Sequence, residues 1–269
     1  MKAHDRGIIK LSANADNSEN EVKLMRFASS AAAFLTAALV PCSAVYAADS
    51  TKIGYGQGTA LDEKGRPADA VSFNQRYSDL EAYALTNDDD RIIITFDQGY
   101  ENGYTEKILD TLKEKNVKAI FFLTGDYAKK ETALVQRMID EGHILGNHGM
   151  THASLPELSD SEAEEEIMSL HKYVLDNYGY EMQYFRCPCG EYSEKALETA
   201  QKCGYKTLFW SYAYVDWKTD AQPEPGASVQ KLTDSAHGGE ILLLHSVSST
   251  NAEILGEVID NFRAEGFTV

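Results

Sequence analysis

Positive charge is what this chain of 269 residues is shortest of: 25 Lys and Arg stand against 42 Asp and Glu, a formal net charge of −17. So acidic a chain excludes a phosphate-backbone partner, because nucleic acid is held by clusters of Lys and Arg. Cysteine is scarce as well, with four in all. Beyond the first fifty residues there are Cys187, Cys189 and Cys203, an odd number that is no disulfide framework. A direct Cys187–Cys189 bridge would be strained, whereas one bridge to Cys203 stays open. Glycine, at 19 residues, is far from every third position, and the 43% of hydrophobic residues is a globular share, so collagen-like repeats and wholesale disorder are excluded. The length suits one large domain or two small ones.

Long uncharged runs are also lacking, with one exception. Residues 1–24 are polar and without period, then Met25-Arg26 leads into FASSAAAFLTAALVPCSAVYA, residues 27–47. Small residues at Val45 and Ala47 fit a signal-peptidase site, so 1–47 is expected to be a secretory signal, with Met25 as an alternative start. Two other readings stand beside it. The run is just long enough for a retained membrane anchor, and a lipoprotein signal at Cys42 is disfavoured by Pro41. A secreted or cell-envelope location follows, with membrane contact only through an uncleaved leader.

From Arg91 onward short apolar runs alternate with amphipathic stretches. The runs are RIIITF (91–96), VKAIFFL (117–123), HILGN (143–147), EMQYF (181–185), YKTLFW (205–210) and EILLL (240–244), and FTV (267–269) follows at the end. Their length suits buried parallel strands. Asn116, Gly142, Gly179, Gly204 and Gly266 each stand before a run, where a left-handed residue closes a helix. Ser159 with Glu162 predicts a capping box for a helix through about Leu175, and Ser193 predicts a cap for a helix ending near Lys202. The alternation predicts an α/β fold with a parallel sheet, closed as a barrel of seven or so units. Residues 48–90 are polar and turn-rich and are expected to form an arm wrapping the 91–269 domain. Asp88, Asp89 and Asp90 suggest a solvated charge run more than a calcium site. The chain stops about where the closing strand is expected, so that strand is expected to be clipped.

Sites in parallel α/β folds lie at the carboxyl ends of the strands. There the chain places Asp97 and Gln98, His148 and His152, Arg186, Asp216 with Trp217, and His245. His143 and His237 precede strands and fall at the opposite end, His171 belongs to a helix surface and His4 to the leader, so all four read as structural. His148 and His152 are spaced H-x3-H, which puts two imidazoles within reach of one ion, and with an acid on a neighbouring strand they suit zinc or another first-row divalent metal.

Five segments in order, TFDQGY (95–100), NHGMTH (147–152), FRCPCG (185–190), DW (216–217) and LLH (243–245), resemble the motifs of the polysaccharide deacetylases, carbohydrate esterase family four, with the NodB-homology domain. The stretches TFDQGYENGYTEKILDTLK, FWSYAYVDWK (209–218) and HSVSSTNAEIL (245–255) are most similar to the branch of spore-formers that makes muramic δ-lactam. The resemblance implies a distorted (β/α)7–8 barrel with an N-terminal arm. It also implies metal-dependent de-N-acetylation of N-acetylmuramic acid in peptidoglycan glycan strands, a mark of spore cortex.

By the same resemblance His148 and His152 hold the ion, Asp97 is the base, Arg186 orients it, and His245 is the acid held charged by Asp216. Trp217 and Leu243 wall the acetyl pocket, Cys189 supplies an oxyanion N–H, and Gly190 and Tyr100 bind substrate. Gln98 stands where the family has a second Asp, so it is a weak or indirect ligand. Gly149 and Ala153 replace Ser/Thr and Pro, which loosens that turn. Bland readings remain beside these: Asp97 as a strand-end cap, Arg186 as a surface ion pair, Asp216 as a turn residue, Trp217 as core, and Cys187 with Cys189 as small thiols rather than a metal site. An N-acetylglucosamine deacetylase and an inactive glycan-binding relative are the competing functions.

Overall fold

The computed structural model describes residues 48–87 and 90–269; the expected leader, His4, Asp88 and Asp89 lie outside them. The elements in order are β1 (Ile53–Gly54), α1 (Ala68–Tyr77), β2 (Ala82–Tyr83), β3 (Ile92–Gln98), α2 (Thr105–Glu114), β4 (Ile120–Leu123), α3 (Gly125–Lys130), α4 (Thr132–Asp140) and β5 (Ile144–Asn147). They continue as α5 (Asp160–Tyr178), β6 (Tyr184–Phe185), β7 (Glu191–Tyr192), α6 (Glu194–Lys202), β8 (Lys206–Leu208), β9 (Tyr212–Ala213), α7 (Pro225–Asp234), β10 (Glu240–His245) and α8 (Ser249–Ala264).

Eight strands form one sheet in the order β2-β8-β6-β5-β4-β3-β10-β9, and every ladder in it is parallel. The sheet curls into the expected barrel. Two links span the gap between its edges: residues 206–213, which pair as β8 with β2 and β6 and then as β9 with β10, and an antiparallel bridge between Leu85 and Glu240. The arm does more than wrap. Its β2 is an edge strand of the barrel, and its β1 pairs antiparallel with β7. The final residues make one parallel bridge, Arg91 with Thr268.

Alternation along the strands sorts the apolar residues into two layers. On β3, Ile92, Ile94 and Phe96 face the helices, and Phe96 stacks on Phe121 at 5.1 Å. Ile93 turns inward, where Ile120, Phe122, Leu208 and Ile241 fill the barrel. Two buried faces per strand explain why the sequence shows continuous apolar runs rather than alternation. The helix punctuation is as read. Asn116, Gly142, Gly179, Gly204 and Gly266 all have positive φ. Ser159 and Glu162 close the capping box of α5, and Ser193 accepts from the Ala196 N–H at the start of α6.

Candidate active site

The apolar filling of the barrel stops at Phe122. Above it, at the carboxyl ends of the strands, lies a cavity of about 910 Å³. The guanidinium of Arg186, which follows β6, sits 4.1 Å over the Phe122 ring and is wholly buried. It donates to Leu208 O (2.9 Å), Phe209 O (3.0 Å), Thr95 Oγ1 (2.8 Å) and Asp97 Oδ1 (2.9 Å). Arg186 is therefore no surface ion pair. It ties β3, β6 and β8 together with donors in a fixed planar fork.

Asp97, at the end of β3, lies between that guanidinium and His148, whose Nε2 is 3.5 Å from Asp97 Oδ2. Burial pushes its carboxyl up, but the charge and hydrogen bond of Arg186 foremost, with the neighbouring His148 and His245, outweigh burial and hold it below the usual carboxylate range. His245 is its register partner on β10. The His245 Nδ1 is 2.7 Å from Asp216 Oδ1, and the His245 backbone N–H donates to Asp216 Oδ2 at 2.8 Å. A carboxylate only accepts, so Nδ1 carries a proton in either charge state, and Nε2 is the nitrogen that takes up or gives the second. Burial pulls this imidazole down, but the bond and charge of Asp216, with Asp97, leave it raised.

His148 Nδ1 lies 2.8 Å from the carbonyl oxygen of Arg186, so it too is the N–H and Nε2 holds the lone pair. That Nε2 is 3.2 Å from His152 Nε2. Burial lowers both, His148 to about 4, against the opposing charge of Asp97, so both are neutral imidazoles at pH 7. The edge of a tetrahedron drawn with metal–nitrogen bonds of about 2.0–2.1 Å is about 3.3–3.4 Å, so the pair has the spacing and the protonation state of two ligands to one ion.

Gln98 is fully buried. Its Nε2 donates to Ser246 Oγ at 2.5 Å, and its Oε1 has no partner among the described residues. With an amide in place of a second carboxylate, no cluster of three His, Cys, Asp or Glu forms a metal group among the described residues. Two imidazoles and the edge of Asp97 are the donors present. The cysteines add none: Cys187 is buried, Cys189 exposed, and both are free, as is Cys203.

Tyr100, Cys189, Gly190, Trp217 and Leu243 all line the cavity. Trp217 is 46% exposed and not core, with its ring 5.5 Å from that of His245. Cys189 has φ +58, and at Gly190 a Cβ would meet Trp210 Cη2 at 2.8 Å, so that turn requires glycine. The sequence reading missed part of the wall. Tyr55 and Gln57 of the arm line the cavity; Tyr55 Oη donates to Trp210 O at 2.6 Å and Trp210 Nε1 donates to Gln57 Oε1 at 3.0 Å. It also missed supports. Asn251, in α8, donates to Asp216 Oδ2 at 2.6 Å, and Asn102 donates to Val247 O at 2.9 Å, joining the loops after β3 and β10. Glu101 accepts from Gly103 and Tyr104 N–H and from the Thr105 hydroxyl, which explains the ENGYT string as a loop staple before α2. Both Asn251 and Glu101 fall inside the stretches whose resemblance was already noted.

A polysaccharide deacetylase family model matches residues 84–208. The N-acetylmuramic acid deacetylase PdaA of Bacillus subtilis is 39% identical over 206 residues, which is 76% of this chain and 78% of that protein. The chain belongs to the polysaccharide deacetylases. A peptidoglycan-N-acetylglucosamine deacetylase of Bacillus cereus is 32% identical over 183 residues, 65% of this chain and 64% of that one. The structure of Bacillus subtilis PdaA, a family 4 carbohydrate esterase, superposes with a TM-score of 0.77 at 36% identity, over 82% of this chain and 94% of the other. This deacetylase is thus a carbohydrate esterase of family 4, a hydrolase of polysaccharide amide bonds. Members of that family generally use a divalent metal.

Proposed function

We propose that the chain removes the acetyl group from N-acetylmuramic acid in peptidoglycan, outside the cytoplasmic membrane, and that the freed amine then closes on the neighbouring lactyl carboxyl to give muramic δ-lactam. The observation that carries the reading is Asp97, an ionised carboxylate on the cavity wall, held between Arg186 and His148 and beside a His245 whose Nδ1 lies 2.7 Å from Asp216 Oδ1. The choice of sugar rests on the 39% identity to the muramic acid enzyme against 32% to the glucosamine enzyme.

Amide hydrolysis needs a deprotonated water, a stabilised oxyanion and a proton for the leaving nitrogen. Asp97 accepts the proton of the attacking water, and Arg186 keeps Asp97 ionised and aimed. His245 Nε2 gives its proton to the departing amine, and Asp216 on Nδ1 keeps the ring charged until then. Proton-transfer groups of this kind are worth about 10²–10⁴ in rate. The backbone N–H of Cys189 serves the oxyanion, on the turn that Gly190 permits. Trp217 and Leu243 enclose the acetyl methyl, and Tyr100 meets the glycan at the rim. His148 and His152 hold a divalent ion, zinc or another first-row metal, with Gln98 contributing at most through water. When bound, such an ion would supply polarisation of the carbonyl and a more acidic water.

The test is acetate release from purified cell wall with analysis of the muropeptides formed. The parent chain is expected to release acetate and yield lactam, chelator to stop it, and Asp97→Ala to lower the rate by about 10²–10⁴. Acetate release without lactam would assign glucosamine instead. A metal-loaded chain that binds glycan and releases no acetate would leave the binding relative.

A further inference from the structure

The loop that carries His152 is held by one side chain that the function described so far does not use. Glu166 lies in α5, in the run Glu162-Ala163-Glu164-Glu165-Glu166, yet it is 7% exposed where a charge run is ordinarily solvated. Its Oε1 accepts from the Thr151 N–H at 2.7 Å and the Ala153 N–H at 3.2 Å, and its Oε2 accepts from the Thr151 hydroxyl at 2.9 Å. Its backbone carbonyl accepts from the Met150 N–H at 3.0 Å. Residues on both sides of His152 are therefore tied to Glu166. His152 itself has φ +64, a left-handed conformation that an L residue keeps only when its surroundings impose it.

The motif's Ser/Thr is Gly149 here, a change that by itself loosens the turn. Gly149 has φ +83, and a Cβ added there would stand 2.7 Å from Glu166 Oε1. A side chain at 149 and the carboxylate at 166 compete for one space, and this chain fills it from the helix. We propose that Glu166 is a positioning residue: it fixes the 150–153 loop so that His152 Nε2 stays opposite His148 Nε2, and it supplies the rigidity that glycine removes from the motif. The inference rests on the proposed role of the two histidines as metal ligands. Its chemistry is that of hydrogen bonds rather than of charge. A glutamine at 166 can accept both backbone N–H groups through Oε1 and donate through Nε2 to the Thr151 hydroxyl.

The experiment measures Zn²⁺ affinity of the full chain by competition with a chromophoric chelator, and the Co²⁺ absorption spectrum, with His148→Ala as the reference for a lost site. Glu166→Ala is expected to weaken Zn²⁺ binding by about 10–100-fold, the range for groups that orient ligands, and to change the Co²⁺ bands while circular dichroism stays that of the parent. Glu166→Gln is expected to restore affinity to within about threefold. Should Glu166→Ala fail to fold, Gly149→Ala, which brings a Cβ to 2.7 Å from Glu166 Oε1 and also strains the backbone at φ +83, is expected to weaken Zn²⁺ binding about tenfold or more. Parent-like affinity in Glu166→Ala or in Gly149→Ala overturns the inference, and so does Glu166→Gln binding as poorly as Glu166→Ala. If the parent binds Zn²⁺ no better than His148→Ala, the metal reading itself falls and takes this role with it.

Discussion

The ladder between β3 and β10 begins at Glu240 opposite Ile92 and ends at His245 opposite Asp97, and the two ends treat the same residue types in opposite ways. At the carboxyl end Asp97 is buried against a guanidinium, and its carboxyl is held low. At the amino end Glu240 is wholly buried with no Lys or Arg paired to it among the described residues, and burial, against the His237 N–H that donates to it at 3.2 Å, raises its carboxyl to about 8, so it is mostly neutral at pH 7. The histidines differ likewise. His245 is raised by Asp216, whereas His237 has its Nδ1 2.8 Å from Ser235 O and its Nε2 2.8 Å from Ser211 Oγ, and burial lowers it. A serine, a histidine and an acid meet at the amino end as closely as a hydrolase would need. None of the three lines the cavity, whose walls lie at the other end. Residue type and proximity do not make a reactive site; a fixed counter-charge and an open wall do.

The sharpest way to break that contrast is to delete a histidine at each end. His245→Ala is expected to lower acetate release by about 10²–10⁴. His237→Ala is expected to leave the rate per folded molecule unchanged and to destabilise by about 1–3 kcal/mol, because the Ser211 hydroxyl loses its buried partner. Comparable rate losses in the two variants would end the distinction. Next in size, Arg186→Met leaves Asp97 as an uncompensated buried charge and should cost about 3–5 kcal/mol in urea unfolding. A variant of parental stability would mean that Asp97 is not ionised.

The last contrast concerns pH. Burial lifts the Glu240 carboxyl to about 8 from the 4.5 of a free glutamate. The folded chain therefore binds the extra proton between those values, and its stability falls as pH rises through that window, by at most about 1.4 kcal/mol per pH unit. Glu240→Gln should flatten that slope in unfolding curves taken from pH 5 to 8, and an unchanged slope would show that Glu240 is charged.

Much of the barrel was legible because six of its strands lie in apolar runs and five of its helices, α2, α4, α5, α6 and α8, close on Asn or Gly. The two-residue strands β1, β2, β7 and β9 were not, since no period exists over two residues and only long-range pairing defines them. At the site, the residues that ligand and proton chemistry demand stood out at the strand ends. Their supports did not, because Asn251 and Glu166 look like ordinary polar residues at a helix start and in an acidic run. For Glu166 a signal existed: Ala163, Ile167, Leu170 and Val174 form the buried stripe of α5, and Glu166 lies on it. The same reading placed His143 and His237 away from the site by strand direction alone.

The stretch 206–213 works as the clasp of a hoop: one end fastens to β2 and β6, the other to β10, and the part between carries Trp210, which the arm grips through Tyr55 and Gln57. Nicking the backbone there would leave the Leu85–Glu240 bridge to hold the seam and would free the part of the cavity wall that Trp210 and Ala213 supply. Substrate access and cylinder closure thus share one peptide segment, so a looser clasp adopted to admit a bulkier sugar would be paid for in the integrity of the whole.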